Sequence, residues 1–586
     1  MASLSAHVLM KKGKRGAAAC VKAECAKTAS PIHLNALLDK LLNPEKAIDE
    51  WETIDWFKWL MAGGSTPDEF ANTVRRYDNA TTCGLVWTAN FIAYRCRTCG
   101  ISPCISLCAK CFQQGNHDGH DFNMFRSQAG GVCDCGDTSV MKESGFCNQH
   151  GPQANVNKPS APSDLMCVAE AMMPRLILRL IQHLREVSHS GAPDAYMFGI
   201  QDSDQFISML HNFSEMGAAM RKVMTVALTD PQIYKDLTEI KPGDDSKYNL
   251  QSKKIYEDAL KSLPNPEPPD EYKDCPSLQE QLVHRTFIEE LVFWTVKYEF
   301  PQKLVCFLLN LLSDPDYKEA LTRAFVLHYS RISVMLEKGK DPDTLSNRVV
   351  HVSVQLFSNE GLASRMADSL NLLHVMVISL KYMMSKILIQ NTLHDAGKNF
   401  HFVADCSRPV MKEHSYWPLV SDLNNVLSHK SVAVKFMSDN NLLEMWFAFM
   451  SMFQGMNVNQ RELKQHVEFE PHTYYAAFSA ELEACAYPMW TLVAHLTNPS
   501  TVHLTQGVLI ACLSAIQDWL DAINFTDANM SDSLQVSFHL PLHRYFSVFM
   551  CQAIKHQGLA LRDVLPGPEM LHLMMMHPLR VQVSLL

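Results

Sequence analysis

Residues 83–150 read CGLVWTANFIAYRCRTCGISPCISLCAKCFQQGNHDGHDFNMFRSQAGGVCDCGDTSVMKESGFCNQH, and nine of the chain's 18 cysteines fall in this stretch. Large aliphatic side chains are few here and no apolar repeat runs at helical spacing. Burial alone therefore offers too little free energy to offset the ordering of the chain. The candidate donors for a metal are Cys83, Cys96, Cys99, Cys104, Cys108, Cys111, His117, His120, Cys133, Cys135, Cys147 and His150. Zinc takes four thiolate or imidazole ligands in a tetrahedron, and two ligands separated by two residues reach one ion from a single tight turn. Cys96-Arg-Thr-Cys99 and His117-Asp-Gly-His120 form two such pairs, together a complete Cys2His2 set, and Cys108-Ala-Lys-Cys111 is a third. Cys133-Asp-Cys135 is spaced too closely for an easy chelate on one ion and suits two neighbouring metals better. Reduced, unmetallated cysteines are the competing reading, and the paired spacing disfavours it. Ions so enclosed are structural: with every position taken by protein there is no bound water to activate.

The flanks differ in kind. Residues 151–163, GPQANVNKPSAPS, have the composition of a linker. On the other side, residues 31–82 carry apolar residues at helical spacing (Leu34, Leu37, Leu38, Leu41, Leu42, then Trp51, Ile54, Trp56, Phe57, Leu60), which predicts two short helices followed by a polar connection over 62–82. The first thirty residues hold Lys11, Lys12, Lys14, Arg15, Lys22 and Lys27 against Glu24 alone, and read as a flexible basic tail, with a targeting signal as the alternative.

Beyond the linker, residues 164–586 are patterned for helices over roughly 165–188, 203–229, 277–312, 316–338, 361–394, 441–455, 471–496, 502–523 and 541–557. The stretch 240–276, with Pro264, Pro266, Pro268 and Pro269 among many charges, reads as an exposed loop, and the β-branched alternation of Val349 to Phe357 as a strand or extended piece. The fold class expected is mainly α. A small zinc-stabilised module with little regular secondary structure precedes an irregular, α-solenoid-like helical array.

Composition narrows the function classes. With 47% apolar and 19% charged residues the chain is an ordinary globular one of several domains. A net charge of −10 gives no general attraction to nucleic acid, and residues 83–150 balance five Lys/Arg with five Asp/Glu, so no basic stripe faces phosphates. The most apolar run, Leu370 to Gln390, is interrupted by Lys381 and Lys386 and reads as a buried helix, not a membrane span. No secretory signal is visible, and the cysteines outside 83–150 lie singly, so reduced thiols in the cytosol or nucleus are expected. Neither a Ser/His/Asp set nor a phosphate-cradling glycine loop is present to support catalysis by this chain.

The order CGLVW…CRTC…CISLCAKC…HDGH…GGVCDCGD…CNQH resembles, along its whole length, the UBR box of the N-end-rule (N-recognin) E3 ubiquitin ligases. GLVWTANFIAYRCRTCGISPC and HDFNMFRSQAGG resemble its atypical type-three branch. The resemblance implies three zinc ions. One would be held by Cys96, Cys99, His117 and His120, a second by Cys83, Cys108, Cys111 and Cys133, and a third by Cys111, Cys135, Cys147 and His150, with Cys111 bridging. Cys104 is left outside these sets. It also implies a shallow acidic pocket for a substrate's N-terminus, in which the carbonyl of Val132 and the carboxylates of Asp134 and Asp137 would face the ammonium. A structural role in turning the GGVCDCGD loop is the alternative for both aspartates. Ser102 is expected to line the same pocket, standing where the family has an acidic residue, and Cys104 replaces the family's threonine. Losing one charge-assisted contact costs about 1.5–3 kcal/mol, so weak or altered binding of Arg, Lys or His N-termini is expected.

The implied function is the substrate-recognition portion of a RING-type E3 ubiquitin-protein ligase of the N-degron pathway, an E3 ubiquitin transferase by family. After His150 the cysteines are too dispersed to build a RING, so a ubiquitin-charged E2 is expected to be engaged outside this chain, which reads as an N-terminal portion, a truncated gene model or a short isoform, inactive alone. The alternative is a non-catalytic, zinc-stabilised protein-interaction scaffold. Partners are expected to be proteins, with no nucleic acid and no integral association with a membrane.

Overall fold

In the computed structural model, the described residues are 2–127, 130–189, 195–243, 246–262, 265–266, 272–278, 282–390, 402–404, 408–454, 456–457, 482–522 and 538–560. They fall into two compact units, one of Met1–Pro264 with Gln279–His328, the other of Asn265–Leu278 with Tyr329–Leu586.

The first unit opens with five helices: α1 (Ala2–Lys11), α2 (Gly13–Cys25), α3 (Ile32–Leu41), α4 (Trp51–Ala62) and α5 (Pro67–Arg76). The flexible tail expected over 1–30 is thus replaced by α1 and α2. Alanine is the strongest helix former, and GAAACVKAEC buries Ala17, Ala18 and Val21 on one face. The cations on the other face need not repel the chain, because Lys14 reaches Glu52 at 2.9 Å and Asp55 at 2.6 Å on α4. The polar connection expected over 62–82 contains α5, started by a capping box in which Thr66 and Glu69 exchange side-chain-to-amide bonds.

The zinc-ligand stretch follows, with β1 (Phe91–Cys96), β2 (Leu107–Cys108), α6 (Ala109–Gln114) and β3 (Phe122–Ser127). The strands form an antiparallel sheet in the order β2-β1-β3. After an irregular linker, the unit continues with α7 (Ser163–His189), α8 (Ala195–Gln201), α9 (Asp204–Ser214), α10 (Ala218–Thr229), α11 (Pro231–Thr238), α12 (Lys247–Ser262), α13 (Phe287–Lys297), α14 (Gln302–Leu309) and α15 (Pro315–Leu327). α7 is the spine: α2, α10, α12 and α13 all pack on it. The single helix expected over 203–229 is broken by Gly217, whose φ of +117° only glycine adopts readily. The exposed loop expected over 240–276 contains α12, whose Ser252 and Ala259 are buried. Proline content obscured a helix that ends before Pro264.

The second unit runs α16 (Tyr329–Lys338), α17 (Pro342–Phe357), α18 (Glu360–Leu370), α19 (Leu372–Ser385), α20 (Pro409–Lys412), α21 (Trp417–Leu427), α22 (Lys430–Ser438), α23 (Asn440–Ser451), α24 (Tyr487–Ala494), α25 (Val502–Ala522) and α26 (Pro541–His556). Val349 to Phe357, expected as a strand, is the second half of α17. The Asp341 side chain and Pro342 start that helix, and Val349, Val352, Leu356 and Phe357 bury one helical face, so tertiary burial overrides β propensity. Of the helix expected over 471–496, residues 471–481 lie outside the described residues, and the rest holds a wide helical turn at Leu482–Ala486 that leads into α24. One described helical stretch, Pro499–Trp519, is long and apolar enough to cross a membrane. It packs on α23 and α26, with Leu504, Val508, Leu509 and Cys512 buried. The architecture is mainly α, with the small Cys- and His-rich module standing between α5 and α7 in chain order.

Candidate metal centre

Two short backbone ladders bring distant cysteines together. Residues 83–85 run beside 133–135, with the Cys83 amide donating to the Cys135 carbonyl at 2.8 Å and the Cys133 amide to the Leu85 carbonyl at 3.0 Å. β1 pairs with β2 so that Ala93 faces Cys108, and Cys108 then caps α6, its sulfur accepting the Cys111 amide. Gly136 closes the loop between the ladders: its φ is +97°, and a Cβ there would stand 2.1 Å from the Thr81 carbonyl oxygen.

Three groups of side-chain donors result, and within each all donor atoms lie within 4.8 Å of one another. They are Cys96, Cys99, His117 and His120; Cys83, Cys108, Cys111 and Cys133; and Cys111, Cys135, Cys147 and His150. All eleven expected ligands are therefore gathered, Cys111 falls in two groups, and Cys104 in none. The imidazoles present Nδ1 to sulfur, as with His120 to Cys99 at 3.2 Å and His150 to Cys147 at 3.1 Å. No disulfide joins these cysteines. The all-cysteine group is electrostatically untenable as four thiolates. Sharing with Cys111 holds the Cys108 thiol far below the usual range, while Cys108 pushes Cys111 far above it. A divalent cation relieves that conflict, and the soft, fully protein-derived donor sets fit zinc.

The rest of the module is thin. Its apolar core is Trp87, Ala93, Ile105, Leu107, Val140 and Met141 set among the cysteines. Aromatic stacking adds to it: Trp87 lies on Phe91 with ring centres 5.0 Å apart, and Phe112 is sandwiched between Tyr94 at 4.2 Å and His117 at 4.4 Å.

The residues expected to line a pocket are arranged differently from one another. Val132 is buried and its carbonyl accepts the Ser106 hydroxyl at 3.0 Å. Asp134 accepts the Ser106 amide at 2.7 Å and donates its own amide to the Ser106 carbonyl. Burial raises its carboxyl to about 7, against the Ser106 amide and Lys318, which lower it. One oxygen of Asp137 accepts the Ser139 amide at 2.9 Å, and the other meets the Lys318 ammonium at 3.4 Å. Ser102 departs from expectation. It is 5% exposed and its hydroxyl accepts the Cys104 amide, so its short side chain serves the turn and not a ligand. Two residues that sequence reading missed belong to this region, Ser106 and Lys318. Ser106 lies within the quoted stretch but in no metal pair, and Lys318 stands 181 residues from Asp137, so neither carries a local signal.

Comparison with known proteins agrees with this geometry. Residues 82–150 match the putative zinc finger in N-recognin (UBR box), and residues 246–535 match the UBR1/2/3-like ARM repeat domain. The chain is 56% identical over 577 residues to the E3 ubiquitin-protein ligase Ubr3 of Drosophila melanogaster, covering 97% of this chain and 26% of that protein. To the human E3 ubiquitin-protein ligase UBR3 it is 48% identical over 590 residues, covering 91% of this chain and 31% of that protein. To human UBR1 identity falls to 20% over 568 residues, 84% of this chain and 31% of that protein. The chain thus spans about a third or less of the length of these relatives. Through the zinc finger, the ARM-repeat domain and this identity to the UBR3 proteins, the chain belongs to the UBR-box family.

Proposed function

We propose that this chain is the substrate-recognition portion of a RING-type E3 ubiquitin-protein ligase acting in ubiquitin-dependent protein degradation. The observation that carries the reading is the convergence of the eleven Cys and His donors into three sets inside a UBR box. Three zinc ions would be held by those sets, Cys111 bridging the second and third, and their work is to fold the box. The chemistry of this chain is then recognition. Acceptors at Val132, Asp134 and Asp137 suit the ammonium of a protein's N-terminus, because an α-ammonium needs carbonyl and carboxylate partners. The helical array offers further surface to protein partners. Transfer of ubiquitin calls for a charged E2 engaged through a RING supplied outside these 586 residues, and the compartment that suits reduced thiols is the cytosol or nucleus.

Metal analysis of the purified chain under reducing conditions tests the ligand sets. Three zincs per chain are expected, with two or fewer arguing against the bridged arrangement. Panning of free-amine peptides on the zinc-loaded chain tests the recognition role. A retained subset, lost on Asp134→Asn or Asp137→Asn, supports the pocket. Retention of none with zinc intact leaves a scaffold.

A further inference from the structure

Asp137 is the pocket carboxylate that already has a cationic partner from the helical part of the same unit. Lys318 stands in the first turn of α15, and its position is set by neighbours on both sides. Asp314 caps the helix, accepting the Asp316 and Tyr317 amides at 3.0 and 3.1 Å. Tyr317 is fully buried and its hydroxyl donates to the Leu308 carbonyl at 2.7 Å. The box packs directly against the turn before α15, since a Cβ on Gly84 would lie 3.1 Å from the Ser313 Cβ. The lysine side chain is 14% exposed and Asp137 26% exposed, so their 3.4 Å contact is a largely enclosed pair and not a solvated surface one. An ammonium therefore sits beside Asp137. At the same site the Val132 carbonyl receives the Ser106 hydroxyl.

We infer that Lys318 is an intramolecular occupant of the acidic site and sets its specificity: its ammonium takes the place that a ligand's ammonium would fill at Asp137. This rests on the reading of Val132, Asp134 and Asp137 as an ammonium site. An N-terminus entering the site must either displace Lys318 or bind with one carboxylate fewer. A charge-assisted contact is replaced and not gained, and the net benefit of binding falls accordingly. The replacement of an acidic residue by Ser102 and the presence of Lys318 then act in the same direction, one removing a carboxylate and the other neutralising a carboxylate that remains.

The test uses the zinc-loaded 586-residue chain and calorimetry with an Arg-initiated peptide and its N-acetylated form. Lys318→Met keeps the length of the side chain and removes the charge, and Lys318→Gln serves as a second neutral variant. Zinc content and melting temperature report that each is folded. The expected result is that both neutral variants bind the free-amine peptide at least about tenfold tighter than the wild-type chain. Lys318→Arg should stay like wild type, and Asp137→Asn added to Lys318→Met should cancel the gain. A purely structural lysine would change the melting temperature without creating binding that depends on a free amine. Equal, amine-dependent binding by the wild-type chain and both neutral variants overturns the proposal and leaves the pocket reading standing. A gain that persists with the acetylated peptide overturns it too. Absence of amine-dependent binding in every form overturns the proposal and the pocket reading together.

Discussion

The UBR box and the helices around it solve the problem of stability in opposite ways. In the array, large apolar faces meet: Trp294, Trp446, Phe57 and Phe206 are almost fully buried, and each such side chain contributes about 1.5–3 kcal/mol. In the box, thiols and imidazoles occupy the interior, and the buried apolar cluster set among them holds six side chains, flanked by half-buried aromatic rings. Burial is divisible, so an array can lose one contact and keep the rest. Coordination is not divisible: a tetrahedral site with three protein ligands is a different, weaker site. Damage in the box should therefore be steep and local, and damage in the array graded.

The largest effect is expected at Cys111, the proposed bridge. Cys111→Ser removes a donor from two of the three groups at once. Structural zinc sites contribute roughly 10–16 kcal/mol of apparent binding free energy, so losing most of two sites should unfold the box. Metal analysis should fall from the proposed three zincs towards one, and limited proteolysis should open new cleavage between residues 83 and 150. Far-UV circular dichroism should barely change, because the box contributes only α6 and short strands to the regular structure. A large loss of helix signal would show that the array depends on the box, and the contrast would fail.

The nearest counterpart in the array is a buried ion pair. Glu290 on α13 is fully buried and holds Arg185 of α7 through two contacts, 2.7 and 2.8 Å, while accepting the Tyr234 hydroxyl at 2.6 Å and the Trp294 indole N–H at 3.1 Å. Burial by itself would raise its carboxyl, but Arg185 and Tyr234 prevail and hold it below the usual carboxylate range. Glu290→Ala leaves a buried guanidinium without its counterion and should cost about 3–5 kcal/mol. Chemical denaturation of the variant would measure the loss, with zinc stoichiometry unchanged. A loss under about 1 kcal/mol would mean that water or another acid compensates for the missing partner.

The same division explains what the sequence revealed. Metal ligation depends on residue identity and short spacing, and the pairs Cys96/Cys99, Cys108/Cys111 and His117/His120 are visible in a string of letters. So were most helices, because apolar residues recur every three to four positions. Sequence reading erred where an element depends on distant partners. α2 looks like a charged tail until Lys14 finds Glu52 and Asp55, and the end of α17 looks like a strand until its valines meet neighbouring helices. Local signals were also overlooked: the Thr66–Glu69 capping box announces α5 within four residues. The proposed pocket was the least legible part. The aspartates can be named from the motif, but Lys318 enters from a helix 181 residues away, and no periodicity encodes that meeting.

The smallest expected effect tests the graded side of the contrast in the second unit. Asp422 on α21 is buried, 2% exposed, with one oxygen accepting the Tyr329 hydroxyl at 3.0 Å and, among the described residues, no ion pair like that of Arg185 with Glu290. Burial pushes its carboxyl up to about 7 from an ordinary 3.8, the hydrogen bonds from Ser353 and Tyr329 lowering it only in part. A folded-state value above the unfolded one means that the folded chain binds the proton more tightly. The stabilisation is fully present below pH 3.8 and drains away as the pH rises towards 7. Asp422→Asn keeps an acceptor for Tyr329 and removes the titration. The variant should match the wild-type chain near pH 4 and exceed it by up to about 4 kcal/mol at pH 8, measured by denaturant unfolding at both values. Because the box's thiols also titrate, the comparison must be the difference between variant and wild type at each pH, which cancels the zinc sites. A difference that stays constant with pH would show that Asp422 is ionised throughout, held by a partner that its surroundings supply. The array would then contain a second satisfied buried charge, and the gradation argued for it would rest on hydrophobic contacts alone.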